Sequence, residues 1–416
     1  LYLSHSESPH PLRPETGILT RGFDPSLSVG SARPAVFRSS TYVFSSPEAA
    51  ERAFDLMAGR AHRTPDENVD LVYSRFNHPN AQILEDQILP LEPGATASAV
   101  FNSGMAAIMT AILTVVSPGD SIIYTVPIYG GTQTLIQSFL QPLGIIGIPI
   151  PAGDADSLDA AIKSAHKLKI VFIESPANPT IVMTDICRAC ATVAALPSER
   201  PLVMIDNTFL GPAFQHPLAL GADVSIYSAT KYLGGYSDII GGVVIAKDMA
   251  LMAKIRSKRS LFGNILQPDE CWILNTRLPT VNLRMNRQSK NAQRIAERLA
   301  GNPNIDKVYY PTLFTDPDQM RIYREQCDYP GGLVSIDIKG GKPAAFNFLR
   351  KIKLARNAVS LGGVETLACH PRSTTHSAWS QKDLDQANIG DGLVRLSLGI
   401  ENWEDLLSDF EQALSA

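Results

Sequence analysis

From about Phe76 onward the chain alternates short apolar runs with stretches that are apolar at helical spacing. Residues 97–101 read as a strand, and 105–116 as the helix that follows it. Further strand-like runs lie at 121–125, 145–150, 169–173, 202–205 and 224–227, with helical segments such as 157–167 between several of them. Apolar strands separated by helices imply a mostly parallel α/β sheet covered on both faces. Beyond about Asn275 the pattern changes. A long, charged amphipathic helix over 284–299 leads into a smaller α+β pattern with strands at 333–338 and 394–398. Before about Val72 the chain reads as irregular, with Pro9, Pro11, Pro14, Pro25 and Pro34 and a polar insert over 59–70. An arm that orders against another surface has this character. The expected organisation is an N-terminal arm (1–75) contacting a neighbouring subunit, a large sheet domain (76–275) and a smaller C-terminal domain (276–416).

Composition narrows the function classes. The 416 residues are 44% hydrophobic with a net charge of −4, which supplies a large core and no basic surface for nucleic acid. No apolar run approaches the roughly 20 residues of a membrane span. The first twenty residues are polar and proline-containing, unlike a secretory leader. Five cysteines, at 187, 190, 271, 327 and 369, form an odd, scattered set rather than a disulfide framework, so a reducing, cytoplasmic setting is expected. The C-x-x-C of Cys187 and Cys190 falls in a helical segment and has no second pair, so no metal site is expected.

Chemistry gathers where four strands end, which is where open α/β sheets bind ligands. Asn102-Ser103-Gly104-Met105 ends one strand and opens a helix, whose exposed N–H groups and dipole favour a phosphate. Glu174-Ser175-Pro176-Ala177-Asn178-Pro179 ends another in a turn whose side chains can bond to a ring. Asp206, just past an apolar strand, needs a partner such as a cationic ring nitrogen. Tyr227-Ser228-Ala229-Thr230-Lys231-Tyr232 places a lysine beside two hydroxyls, 25 residues after Asp206, and burial there suits a Schiff-base amine. Each has an ordinary alternative when taken alone: an N-cap by Ser103, a plain loop, a cap or ion pair for Asp206. Together they call for a ligand with a phosphate, a cationic ring nitrogen, a ring oxygen and an aldehyde. Pyridoxal 5′-phosphate (PLP) has all four.

These segments resemble the Cys/Met-metabolism PLP enzymes, a family that includes cystathionine γ-synthase, the cystathionine lyases, methionine γ-lyase and O-acetylhomoserine sulfhydrylase. Ser228-Ala229-Thr230-Lys231-Tyr232 carries most of the likeness. Tyr73-Ser74-Arg75, Ser103-Gly104-Met105, Tyr129-Gly130-Gly131-Thr132, the 174–179 segment and Val394-Arg395-Leu396-Ser397 support it. The resemblance implies PLP fold type I, aspartate aminotransferase-like, with a seven-stranded-type sheet. It implies Lys231 and Tyr129 as acid–base groups and Tyr129 stacked on the cofactor ring. Asn178 would meet the ring's phenolic oxygen and Asp206 its nitrogen. Ser103, Gly104, Met105, Ser228 and Thr230 would hold the phosphate. Tyr73 and Arg75 would reach a neighbouring subunit's phosphate, in a homotetramer with shared sites. Arg395 would grip the substrate carboxylate, with Ser360 and Val359 nearby.

The chain also departs from the family pattern. Gly234-Gly235-Tyr236 stands where Asn-Gly-His is common, which implies a different site mouth. Asn286, Arg287 and Gln288 occupy positions where a His is frequent. Gly131 replaces the Cys of methionine γ-lyases, and Val359 replaces the Glu that suits cystathionine's distal amine. The implied substrate is a small amino acid. The first reading is γ-replacement on an O-acyl-L-homoserine, expected to be the acetyl ester, by a sulfur or carbon nucleophile. The alternative is a β- or γ-lyase releasing ammonia and a 2-keto acid. A nucleotide-binding domain using the Ser103-Gly104 turn finds no G-x-G-x-x-G or Walker signature.

Overall fold

The computed structural model describes residues 12–62, 64, 67, 71–197, 199–377 and 379–415. Pro9, Pro11, the first eleven positions of the 1–20 reading and positions 63, 65, 66 and 68–70 of the polar insert lie outside the described residues.

Seven strands form the larger sheet: β1 (Ala97–Phe101), β2 (Ser121–Val126), β3 (Ile146–Pro151), β4 (Leu168–Glu174), β5 (Leu202–Asp206), β6 (Val224–Ser228) and β7 (Gly242–Ala246). Their order is β1-β7-β6-β5-β4-β2-β3. The pairs β3–β2, β2–β4, β4–β5 and β5–β6 are parallel, while β7 runs antiparallel to both β6 and β1. Every residue of β1 and β7 is buried, as expected of strands covered on both faces. The helix after β1, Gly104–Val115, starts at Ser103, whose hydroxyl accepts from the Ala106 N–H at 3.0 Å. It lays Ala107, Ala111 and Ile112 into the core. Strand β7 escapes the sequence pattern. It abuts a glycine-rich turn with no helix before it, so it lacks the βαβ rhythm that marks the other strands.

The irregular reading of the first 72 residues is corrected. Helices span Pro14–Thr20 and Pro47–Met57. Pro14, counted among the marks of irregularity, starts a helix here, as does Pro47, because the first helical N–H needs no intrahelical acceptor. The second helix adds a Ser46 cap on the Ala49 N–H at 3.1 Å. The first docks through buried Ile18, whose carbonyl accepts from Gln87 at 2.8 Å.

The smaller sheet contains β8 (Ile305–Tyr309), β9 (Leu333–Ile338), β10 (Arg356–Asn357), β11 (Leu367–Cys369) and β12 (Leu393–Ser397), in the order β10-β11-β12-β9-β8. The Val281–Leu299 helix buries Ala292, Ile295 and Leu299 in one cluster with Val334, Ile336, Phe348 and Phe410. Truncating either phenylalanine to Ala would cost about 3–5 kcal/mol. Among the described residues no helix is long and apolar enough to cross a membrane.

Register decides where chemistry collects. Strands β4, β5 and β6 are parallel neighbours, so their carboxyl ends share one edge, and Glu174, Asp206 and Ser228 terminate them there.

Candidate active site

Lys231 follows β6 in a tight turn closed by Lys231 N–H to the Ser228 carbonyl at 3.1 Å. Its Nζ donates to Ser360 Oγ at 2.8 Å, joining the edge of the larger sheet to a turn of the smaller region. Burial, with the Arg395 charge added, lowers its pKa from 10.5 to about 8. About a tenth of this amine is therefore an uncharged nucleophile at pH 7, far more than of a surface lysine.

Asp206 is buried at the end of β5, and its Oδ1 accepts from the Thr208 hydroxyl at 2.6 Å and from the Thr208 N–H at 3.1 Å. The same hydroxyl accepts from the Ser228 N–H at 2.9 Å, which ties the ends of β5 and β6 together. Glu174, its register partner on β4, accepts the Tyr129 N–H at 2.8 Å and the Asn178 N–H at 2.9 Å. Burial raises both carboxyl pKa values, and the neighbouring Asp206 adds to the effect at Glu174, which reaches about 8. Two desolvated carboxyls side by side suit a cationic partner.

At the other end, Gly104 and Met105 begin the Ser103-capped helix, so their N–H groups have no intrahelical acceptor. A Cβ at Gly104 would lie 3.0 Å from Ser228 Cβ, so glycine lets the helix start close against β6. The Thr230 hydroxyl exchanges hydrogen bonds with Gly241, at 3.1 and 3.3 Å.

Arg395 on β12 is buried. It donates from Nη1 to Asn178 Oδ1 at 2.9 Å and from Nη2 to the Ser360 carbonyl at 2.8 Å, while its Nε has no partner. Ser360 thus serves the lysine through its hydroxyl and the arginine through its carbonyl. Its φ of 101° lies where non-glycine residues seldom sit, at a cost of about 1–3 kcal/mol. The turn is held around it. Gln288 donates to the carbonyls of Gly362 and Gly363 at 3.3 and 2.6 Å, and the Gly362 N–H reaches Ser397 Oγ at 2.9 Å. Gly362 itself, at φ 79°, leaves no room for a side chain, since a Cβ would lie 2.8 Å from Tyr232 N.

A cavity of about 300 Å³ joins Lys231, Tyr129, Ser103, Gly104, Met105, Asn178, Asp206, Ser228, Thr230, Val359, Ser360 and Arg395. The two other predicted residues lie apart from it. Tyr73 and Arg75 line a separate crevice with Arg38, Ser39 and Gln267, and Arg75 donates to the Ser260 carbonyl at 2.8 Å. Tyr236 does not line the cavity, contrary to the expectation of a changed mouth. Its ring lies 4.7 Å beneath the Arg277 guanidinium, whose other partner is Asp238. Gln288, in the other departing segment, supports the Ser360 turn instead of touching the cavity. Sequence reasoning gave no role to Thr208 or to the Glu174 carboxylate. The signals were present, as Asp-Asn-Thr after a strand favours the side-chain turn that Thr208 makes, and a glutamate ending a buried strand needs donors. Cys187 is exposed and Cys190 buried, and burial pushes both thiols up, Cys190 to about 12.

The cavity fits PLP. It offers a buried, partly neutral amine for an aldehyde, a carboxylate for a ring nitrogen, a helix N-terminus for a phosphate, and an arginine with an orphaned N–H for a carboxylate. The group supplies an electron sink for negative charge developing at the substrate Cα.

Comparisons with known proteins agree with this fit. Residues 15–415 match the family described as "Cys/Met metabolism PLP-dependent enzyme". The chain is 36% identical to the L-methionine γ-lyase of Pseudomonas putida over 404 residues, covering 96% of this chain and 97% of that protein. It is 38% identical to human cystathionine γ-lyase over 352 residues, 85% of each. A crystal structure of cystathionine γ-synthase from Xanthomonas oryzae pv. oryzae, in complex with cystathionine, superposes with a TM-score of 0.88 at 31% identity, covering 98% of both chains.

Proposed function

The chain belongs to the Cys/Met metabolism PLP-dependent enzyme family, and from that premise we propose that it is a lyase acting at the γ-carbon of an L-α-amino acid with an uncharged, apolar side chain. For a thioether substrate, water is consumed. The C–S bond breaks, and a thiol, ammonia and 2-ketobutyrate are released. The cavity wall carries the reading. Val359 and Ile240, 53% and 63% exposed, line the cavity, whereas the carboxylates lining it, Glu174 and Asp206, are buried. A distal ammonium finds no exposed carboxylate among the described residues lining this cavity, and an apolar chain finds a wall.

Each residue has a defined task in this reading. Arg395 binds the substrate α-carboxylate as a charge-assisted fork. Asp206, held by Thr208, keeps a ring nitrogen protonated. Lys231 takes the proton from Cα and then works at Cβ, so that the γ-substituent can leave. Ser360 receives the lysine's hydrogen bond, and Tyr129 covers the ring face.

The sequence alone put γ-replacement on an O-acyl-L-homoserine first. Relatives named as methionine and cystathionine γ-lyases give elimination better support, so the order is reversed here. Replacement stays as the second reading on one observation. Gly131 has no side chain where a Cβ would stand 2.6 Å from the Tyr129 ring, so this wall differs from one carrying a cysteine. The deciding experiment incubates the holoenzyme with L-methionine, L-cystathionine or O-acetyl-L-homoserine, with and without sulfide or a thiol, and identifies products by mass. 2-Ketobutyrate without added nucleophile supports elimination. An adduct that forms only with nucleophile, and no keto acid, overturns it in favour of replacement.

A further inference from the structure

The segment around 371–377 reaches the cavity from the smaller sheet and carries a fully buried imidazole, His376, that has no task in the chemistry above. Its Nδ1 is 2.8 Å from the hydroxyl of Thr375, which lines the cavity. Its ring meets Trp379 edge-on, with centroids 4.8 Å apart. The same segment presses on the far wall, where a Cβ at Gly130 would lie 2.7 Å from the Thr375 carbonyl. His376 Nε2 is buried and unpaired. It faces the Asn178 carbonyl outside good bonding geometry, with the Arg395 charge close enough to act on the ring. Arg395 Nε is buried and unpaired as well. The Arg395 Nε is thus the open donor of this subsite, and His376 backs the Asn178 segment that Arg395 meets.

We propose that His376 is a positioning residue for the α-carboxylate subsite: its ring packs behind the Asn178 backbone, beside the Arg395 guanidinium, and holds in place the turn whose Oδ1 meets Arg395 at 2.9 Å. The inference rests on Arg395 gripping the carboxylate, as proposed above. Burial and the Arg395 charge hold the imidazole pKa down, to about 4, so the ring is neutral at working pH. It therefore shapes the fork without adding a second positive charge.

The test uses the PLP-loaded enzyme and two ligands that cannot lose a γ-group. L-Norleucine carries the carboxylate, and n-pentylamine is the same chain without it. Each is titrated against the cofactor's visible absorbance. His376→Ala is expected to weaken L-norleucine about tenfold while leaving n-pentylamine within about twofold. His376→Gln, which restores a nitrogen near the Nε2 position, should keep most of the affinity. If His376→Ala does not fold, His376→Asn carries the same test, because it keeps the nitrogen facing Thr375 and lacks the one facing Asn178. Equal weakening of both ligands, or none for L-norleucine, overturns the inference. An Arg395→Ala arm separates the two layers. If Arg395→Ala weakens both ligands alike, or neither, the carboxylate fork itself is wrong. If Arg395→Ala weakens L-norleucine selectively and His376→Ala does not, only the role of His376 falls.

Discussion

Glu174 and Asp206 are register partners at the carboxyl ends of adjacent parallel strands, two buried carboxyl groups on one edge of the sheet. Burial raises both pKa values, and a cationic group bound between the cavity walls offsets that cost. With the cofactor removed, the offset is lost.

Apoprotein stability therefore carries a specific pH signature. A carboxyl whose pKa is raised in the folded state, from 4.5 to about 8 at Glu174, contributes stability that is fully present below 4.5. That contribution is lost as pH rises through about 8. The Tm of the apoprotein should fall between about pH 5 and pH 8, and Glu174→Gln should flatten the fall. Calorimetry of the two apoproteins across that range checks this; parallel curves count against the assignment.

Cofactor capture should follow the lysine. Lys231 reacts as the neutral amine, so the rate of PLP uptake by apoprotein should climb with pH and level off above about 8, where an ordinary lysine would still be gaining. Lys231→Ala should lose turnover and the covalent absorbance together. A stopped-flow pH series reads the first, and a spectrum with a product assay the second. Turnover surviving in the variant would remove Lys231 from the chemistry.

Gly131 should set the position of the ring-covering tyrosine. A Cβ there would stand 2.6 Å from the Tyr129 ring and 3.0 Å from Met105 Sδ, so Gly131→Cys must push the ring aside. A displaced tyrosine misplaces a group at the cavity wall, so a roughly tenfold fall in kcat is expected, with a shifted ratio of keto acid to replacement product. Steady-state kinetics with product analysis decides it. An unchanged ratio and an unchanged kcat would show that the wall is indifferent to residue 131.

Tyr73 and Arg75 lie outside the cavity of their own chain, and the family resemblance implies that they serve a neighbour's phosphate instead. Tyr73→Phe should weaken PLP binding several-fold, since a single hydrogen bond contributes about 1 kcal/mol. Mixed with Lys231→Ala protein, it should recover part of the activity. Hybrids that stay as inactive as their parents would argue against sharing.

The sequence revealed strands and chemistry wherever one residue pattern had one physical meaning. The strands at 97–101 and 224–227 showed as apolar runs, and Lys231 stood out because a lysine beside two hydroxyls has no ordinary role at a buried strand end. The pattern failed where meaning depends on tertiary context. Proline reads as a breaker in isolation, but at Pro14 and Pro47 it starts helices. Strand β7 is short, glycine-led and antiparallel, so it lacks the βαβ rhythm. Thr208 and Glu174 have local partners, in Asp206 and Asn178, but the ties that build the site, Thr208 to Ser228 and Glu174 to Tyr129, and the surroundings of His376 come from other segments that no local window contains.

The amine's partner Ser360 lies 129 positions further on, and the arginine that meets Asn178 lies 217 positions beyond it. During synthesis, then, the strand ends that carry Glu174, Asp206 and Ser228 emerge well before the serine and arginine that complete the cavity. A product truncated ahead of Arg395 would lack β12, the central strand of the smaller sheet, together with the guanidinium that meets Asn178.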